Sequence, residues 1–565
     1  EQKNQKKKKD PIALWVYGIY LLCLLCAVFI ICRLVYIQTV WKPSEKIAPI
    51  VTPQIKKRAI EPVRGAILAR DGRLLAMTVP IYDVFIDCTV QPDSSEVWLS
   101  KARGLASGLA TIVGAKTAEQ YYNMLREGRL KGKGYLKLCS KIDRKQYNAL
   151  CELPLANEGR FQGGVRSTRT MVRKYPYGTL ARRTIGFVRN GMSTAGNKNV
   201  GIEGKFDHIL HGEKGVEFVR ISDNNELVQD YRKGYSSATD GYDVRTTLDI
   251  DLQDIADAAL REQIDTVYEI EGGCLVLMEV RSGAIRAMVN LLRDSTSHRL
   301  EETQNLAVGR LGEPGSVFKT VTLTSVLSDK YIKSLDETLP TNHGRVKDAN
   351  FKWNDWSHVG KFGDKISIID GFKISSNYVF ATLAIQNYKN NPKKYVDNLY
   401  MYKLGEAYDF DIDGMGNPVI PNPSTPLFTN TDLGSMGFGY STQVTPLHIL
   451  TFYNALANKG KMMKPYLIES IESYGKVVEE RGPSVLNASI CTKAVADTVT
   501  RALRAVTEEG TARALKNAKC AVAGKTGTAF VLLPNKNTGR LAYEDEKGRR
   551  KYQGTFVGFF PASLT

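Results

Sequence analysis

A serine stands three residues ahead of a lysine in Ser316-Val317-Phe318-Lys319, directly after Glu313-Pro314-Gly315. A serine hydroxyl becomes a useful nucleophile only when a base takes its proton. A lysine can be that base if its ammonium is destabilised, and moving it from a free pKa of ~10.4 to neutrality costs roughly 4–5 kcal/mol. Burial and a second nearby cation supply such a shift. The surrounding pattern predicts that this pair opens a helix, because Pro314 suits a first turn and Val321, Leu323 and Val326 continue an apolar series. Residues three apart on a helix share a face, so Lys319 can reach the Ser316 hydroxyl.

Two further groups follow in order. Ser375-Ser376-Asn377 offers a hydroxyl that can relay protons and an amide that can hold the lysine and orient a substrate. Lys525-Thr526-Gly527-Thr528 follows the apolar run Ala521-Val522-Ala523, which predicts an edge strand. Lys525 is a candidate second cation. Gly527 would let a substrate backbone lie close to the strand, and the hydroxyls of Thr526 and Thr528 can bind a carboxylate. Near-copies exist. Ser473-Tyr474-Gly475-Lys476 contains a glycine and reads as a turn between strands, and Ser222-Asp223-Asn224 precedes Ser316 in the expected other domain. Lys525-Thr526-Gly527 occurs once.

The rest of the chain must position these groups. Its 565 residues predict two folded units with accessory segments. Lys3 and Lys6 to Lys9 precede an uncharged stretch from Pro11 to Cys32, long enough at ~1.5 Å per residue to span a ~30 Å hydrocarbon core. The lysines predict that residues 1–10 form a cytoplasmic basic tail, 11–33 a single transmembrane anchor, and everything after it an extracytoplasmic region. Residues 34–59, with Pro43, Pro49 and Pro53, read as a juxtamembrane linker. Short alternating runs around the Asp71-Gly72 turn predict strand–turn–strand, residues 99–113 and 117–126 predict helices, and Gly241–Gln253 predicts a strand leading into a helix capped near Asp249. A boundary near 238 then gives a first domain at 60–238 and a second at 239–565. A net charge of +18 favours anionic partners. No aromatic-interleaved basic motif or paired finger spacing supports nucleic acid. Cys23 and Cys26 sit among leucines, and His208 and His211 lack further ligands nearby, so neither metal nor cofactor is expected.

Taken in order, Ser-x-x-Lys, Ser-x-Asn and Lys-Thr-Gly form the signature of penicillin-recognising serine enzymes. The chain resembles a class B, monofunctional penicillin-binding protein. Arg64-Gly65-Ala66-Ile67, Arg173-Lys174-Tyr175-Pro176 and Gly201-Ile202-Glu203-Gly204 are similar to pedestal motifs, while Gly437-Phe438-Gly439 and Thr445-Pro446 match the catalytic domain. Ala69 replaces an aspartate usual in the family's opening motif. The resemblance implies an α+β fold: one N-terminal transmembrane helix, a strand-rich elongated pedestal, and a β-lactamase-like transpeptidase domain whose antiparallel sheet is flanked by helices. It implies peptidoglycan D,D-transpeptidation through a Ser316 acyl-enzyme, inhibited by β-lactams, with catalytic Ser316, Lys319, Ser375, Asn377 and Lys525 and substrate-binding Thr526, Gly527 and Thr528. Stem peptides, a membrane glycosyltransferase of the SEDS polymerase type and other cell-wall synthesis proteins are the implied partners, and the bacterial cytoplasmic membrane the location. The pedestal wording and the segment 437–450 are most similar to the septal type of Bacteroidetes; an elongation-type enzyme, a β-lactamase and an idle division scaffold are the alternatives. The family's final strand and helix are not found before Thr565 and the first residue is Glu1, which predicts a trimmed chain. Arg64, Arg173 and Tyr175 could anchor a polymerase or tie the pedestal together internally.

Overall fold

The computed structural model describes residues 11–41, 55–91, 95–188, 200–221, 227–229, 235–267, 269–341, 363–535, 540–545 and 547–562. The basic tail, the linker prolines and Ser222-Asp223-Asn224 lie outside these residues. The chain divides into two compact units, residues 1–62 with 213–239 and residues 63–212 with 240–565.

In the first unit, the apolar run forms a helix over Pro11–Thr39. It continues six residues past the expected end at 33, because Leu34-Val35-Tyr36-Ile37-Gln38-Thr39 carries no charge or helix breaker to stop it. Large apolar side chains such as Leu22, Phe29 and Val35 are exposed along it, so the helix is long and apolar enough to cross a membrane. The expected linker also contributes a strand, Ile55–Ile60, antiparallel to Gly215–Ile221, which in turn pairs with Leu227–Gln229.

The second unit contains a seven-stranded sheet that runs through the expected boundary. Ile67–Leu68 pairs in parallel with Asp243–Thr246 on one side and antiparallel with Leu74–Ile86 on the other. The expected turn between the last two is present, with Gly72 at φ +88°. Leu74–Ile86 pairs along ten residues with Val165–Lys174 and also with Leu136–Ile142. Helices Ser95–Val113 and Ala118–Leu130 bury Trp98, Leu105, Leu109, Tyr121 and Leu125 against Val84 and Ile86. Thr117 caps the second helix by accepting from Gln120 N, while Gln120 returns a bond to the cap. Asp249 caps Ile250–Thr266 as its sequence predicts. Ser473-Tyr474-Gly475-Lys476 is the turn between Ile468–Ser473 and Lys476–Glu480, with Gly475 at φ +77°.

Arg64, Arg173 and Tyr175 resolve as an interior tie. Glu203 is fully buried. Its carboxylate accepts from Arg64 Nε (2.8 Å), Arg173 Nε (2.7 Å) and the Tyr175 hydroxyl (3.4 Å). Arg64 also donates to Asp207, and Arg173 to the Gly65 carbonyl. Both guanidinium groups are turned inward on Glu203, which supports the reading that they tie the pedestal together internally.

The Ser316 region lies in an all-round core. A tight turn over Gly315–Phe318 leads into the helix Lys319–Ser328, whose residues from Lys319 to Leu327 are buried. A helix buried on every side must satisfy its polar side chains internally. Thr320 meets the Tyr453 hydroxyl (2.6 Å), Thr322 meets that of Tyr395 (2.7 Å), and Thr324 donates to the Thr320 carbonyl (2.8 Å). Val321, Leu323 and Val326 pack with helices Asn377–Tyr388, Pro446–Ala457 and Lys493–Glu508, each such side chain contributing roughly 1.5–3 kcal/mol by burial.

Candidate active site

Three elements bring the predicted groups together. The first is the Ser316 turn. Its backbone is sewn to a distant loop: Gly315 N donates to the Gly439 carbonyl (3.0 Å), and Gly312 exchanges bonds with Val444. A Cβ on Gly439 would stand 2.0 Å from the Gly315 carbonyl oxygen, so only glycine fits there. Glu313, buried, accepts from Ser441 N (2.8 Å) and from the Tyr543 hydroxyl (2.9 and 3.0 Å). Burial raises its pKa.

The second element is a joint between two helices. Ile368–Lys373 ends, Ser375 takes the left-handed conformation at φ +63°, and Ser376 caps Asn377–Tyr388 by accepting from Val379 N (3.1 Å). A non-glycine residue in that conformation carries backbone strain, often at functional positions. Here it coincides with the Ser375 carbonyl and hydroxyl both meeting one lysine. Lys319 Nζ donates to the Ser375 carbonyl (2.5 Å), lies 3.1 Å from Ser375 Oγ, 2.7 Å from Asn377 Oδ1 and 2.8 Å from Ser316 Oγ.

The third element is the strand Ala523–Phe530, which among the described residues pairs antiparallel only with Tyr552–Phe559. Period-two alternation sends Lys525 to one face and Thr526 and Thr528 to the other. Lys525 is buried and its ammonium donates to Ser375 Oγ (2.9 Å) and the Thr526 carbonyl (2.9 Å). Burial pulls its pKa down to about 7. Thr526 is half-buried and Thr528 exposed. A Cβ at residue 527 would lie 3.0 Å from Val317 Cγ1 and 3.2 Å from Val317 N. The strand is pressed against the Ser316 turn, and that contact accounts for the glycine before any substrate is considered.

All eight predicted side chains or positions therefore lie on these three elements, with Ser375 Oγ the point shared by both lysines. The arrangement can pass a proton from Ser316 Oγ to an amine and onward through a hydroxyl. It can also place two threonine hydroxyls on the exposed face of the strand. Sequence reasoning missed Glu313, Ser441 and Tyr543 as supports of the turn, and Thr511, whose hydroxyl lies 2.6 Å from that of Thr526. No local spacing signals these, because each contact joins residues far apart in the chain; only the Glu313-Pro314-Gly315 run marked one of them.

Residues 273–564 match the penicillin binding protein transpeptidase domain, and residues 59–246 the penicillin-binding protein dimerisation domain. Stage V sporulation protein D of Bacillus subtilis (strain 168) is 24% identical across 94% of this chain and 77% of its own length. The peptidoglycan D,D-transpeptidase FtsI of Escherichia coli (strain K12) is 23% identical across 99% of this chain and 88% of its own. Among solved structures, penicillin binding protein 2X from Streptococcus thermophilus shares the fold with a TM-score of 0.68 at 20% identity, over 90% of this chain and 75% of that one. With the transpeptidase match alone covering more than half of its length, the chain belongs to the class B penicillin-binding protein transpeptidases, serine acyltransferase-type enzymes.

Proposed function

We propose that this enzyme crosslinks peptidoglycan stem peptides through an acyl-enzyme on Ser316, with residues 60–238 as a non-catalytic pedestal and 239–565 as the catalytic domain. The observation that carries the reading is the convergence of Ser316 Oγ, Ser375 Oγ and Asn377 Oδ1 on one buried amine, that of Lys319. Neutral Lys319 takes the Ser316 proton as Oγ attacks the penultimate D-alanine carbonyl. Backbone N–H groups of Ser316 and Thr528 hold the oxyanion, a contribution of ~3–4 kcal/mol per donor. The carbon–nitrogen bond breaks, and terminal D-alanine leaves with a proton delivered through Ser375. An amine of a second stem then attacks the ester, and Ser316 recovers its proton. Thr526 and Thr528 receive the terminal carboxylate, or the carboxylate of a β-lactam, while the buried Lys525 on the other face of the strand adds its positive charge. Asn377 orients the substrate amide.

The pedestal wording and the segment 437–450 support a septal role of the Bacteroidetes type. The apolar helix Pro11–Thr39 supports a single-pass anchor in the bacterial cytoplasmic membrane, with the N-terminus cytoplasmic and the catalytic domain outside. A SEDS-type membrane glycosyltransferase then supplies the glycan strand. The test is release of D-alanine from a stem pentapeptide: it should disappear in Ser316→Ala and persist in Ser473→Ala. Persistence in Ser316→Ala sinks the assignment. A fluorescent fusion that follows the lateral wall instead of the septum removes the septal reading.

A further inference from the structure

The strand Val165–Lys174 is an edge of the seven-stranded sheet. It pairs with Leu74–Ile86 over ten positions without a bulge, and among the described residues it has no second neighbour. From Arg166 to Lys174, and among the described residues, no backbone group bonds to backbone outside that ladder. An antiparallel strand offers its N–H and C=O groups to its two sides by turns, so alternate residues here present theirs to solvent. The strand is fixed before any partner arrives. Arg166 donates to Asp87 (3.0 Å) near one end, Arg173 to the buried Glu203 (2.7 Å) near the other, and the Ser167 hydroxyl meets that of Tyr147 (2.9 Å). A preformed edge spares a binding partner the cost of ordering it.

The edge carries one sign of charge. From Gly159 to Arg183 the chain has arginines and lysines but no aspartate or glutamate. Arg166 and Arg173 are spent on carboxylates of the fold, whereas among the described residues Arg169 and Lys174 meet none. Both are exposed, as are Thr168 and Thr170 between them. Threonine suits an added strand, since β-branched side chains fit a pleated surface. Cations on an edge keep like edges apart, because like charges directly opposite each other are unfavourable. A second copy of this strand would bring the same cations and no acid. The charge therefore selects a strand of opposite sign.

We propose that this edge receives an extended acidic segment of a partner protein as an added antiparallel strand. Main-chain bonds to the open edge supply affinity, and side chains opposite Arg169 and Lys174 supply selection. An odd separation puts those two cations on opposite faces, so the partner carries acids at the same spacing, one to each face. The inference concerns a surface remote from Ser316 in sequence and stands whether or not the transpeptidase reading does.

The experiment uses the full chain in detergent and a fluorescent, end-blocked peptide, Glu-Thr-Val-Val-Thr-Glu-Thr, whose glutamates fall opposite Lys174 and Arg169 in antiparallel register. Binding is read by fluorescence anisotropy. The double variant Arg169→Glu with Lys174→Glu should bind it about 10-fold or more weakly, with an unchanged melting curve. The same peptide with lysines in place of its glutamates should bind that variant and not the wild type. Methylating alternate amide nitrogens separates strand addition from general attraction to an anion. One alternate set faces the edge and should abolish binding, and the other faces away and should leave it within about 2-fold. No binding of the acidic peptide, equal binding of acidic and lysine peptides, failure of the lysine peptide on the reversed variant, or equal effects of the two methylated sets each overturns the proposal.

Discussion

Replacing Lys525 with methionine should make the protein more stable in mild acid while stopping its chemistry. Burial lowers the Lys525 pKa from 10.5 to about 7. That difference corresponds to about 5 kcal/mol spent on keeping the ammonium inside. Because the folded pKa lies below the unfolded one, the unfolded chain binds more protons between pH 7 and pH 10.5, and stability rises with pH through that window. The cost is complete at pH 6 and has shrunk to about 1.4 kcal/mol by pH 9.5. Methionine removes it but forfeits the bonds to Ser375 Oγ and the Thr526 carbonyl, worth about 2–3 kcal/mol together. The variant should therefore exceed the wild type by about 2 kcal/mol at pH 6 and fall below it at pH 9.5, a swing of about 3 kcal/mol. Melting curves at the two pH values, with fluorescent-penicillin labelling of the same samples, provide the assay. A variant whose stability relative to wild type is the same at both pH values would refute the reasoning.

Lys319→Ala removes the proposed base, so acylation should fall by at least ~10²-fold in a stopped-time labelling assay. Arg173→Ala leaves Glu203 buried with one of its two arginines, and its melting curve should show a loss of about 3–5 kcal/mol; whatever stays folded should still acylate at the wild-type rate. Gly527→Ala places a Cβ 3.0 Å from Val317 Cγ1 and forces a small shift of the strand, so labelling should drop by several-fold to about 10-fold, short of the ~10²-fold that a 1 Å displacement at reacting groups can cost, while the melting temperature moves little.

The parts of the fold legible in the sequence were those with local grammar. Thr117 and Asp249 announce helix starts through side chains that cap the next turn. Gly72 and Gly475 mark turns because they must take positive φ. Ser316 and Lys319 were readable as partners because three residues of helix-like chain fix their distance. Contacts made across the chain were not readable. Arg64 and Arg173 look like exposed cations in sequence, and only the fold brings the buried Glu203 between them. Gly527 suggested room for a substrate, whereas its nearest neighbours belong to the Ser316 turn. The strain at Ser375 arises where two helices meet and has no signature in its side chain. Among the described residues the apolar helix begins at Pro11, where the uncharged stretch begins, and runs through Arg33 to Thr39 because the six residues after that arginine carry no charge.

The central claim is that Ser316 forms the covalent bond. Incubating the full-length protein with benzylpenicillin, digesting it and measuring peptide masses tests this directly. The peptide containing Ser316 should gain the mass of one penicillin, with fragmentation placing it on that serine, and Ser473 should remain unmodified. An unmodified Ser316 peptide, or the added mass on any other residue, would contradict the account.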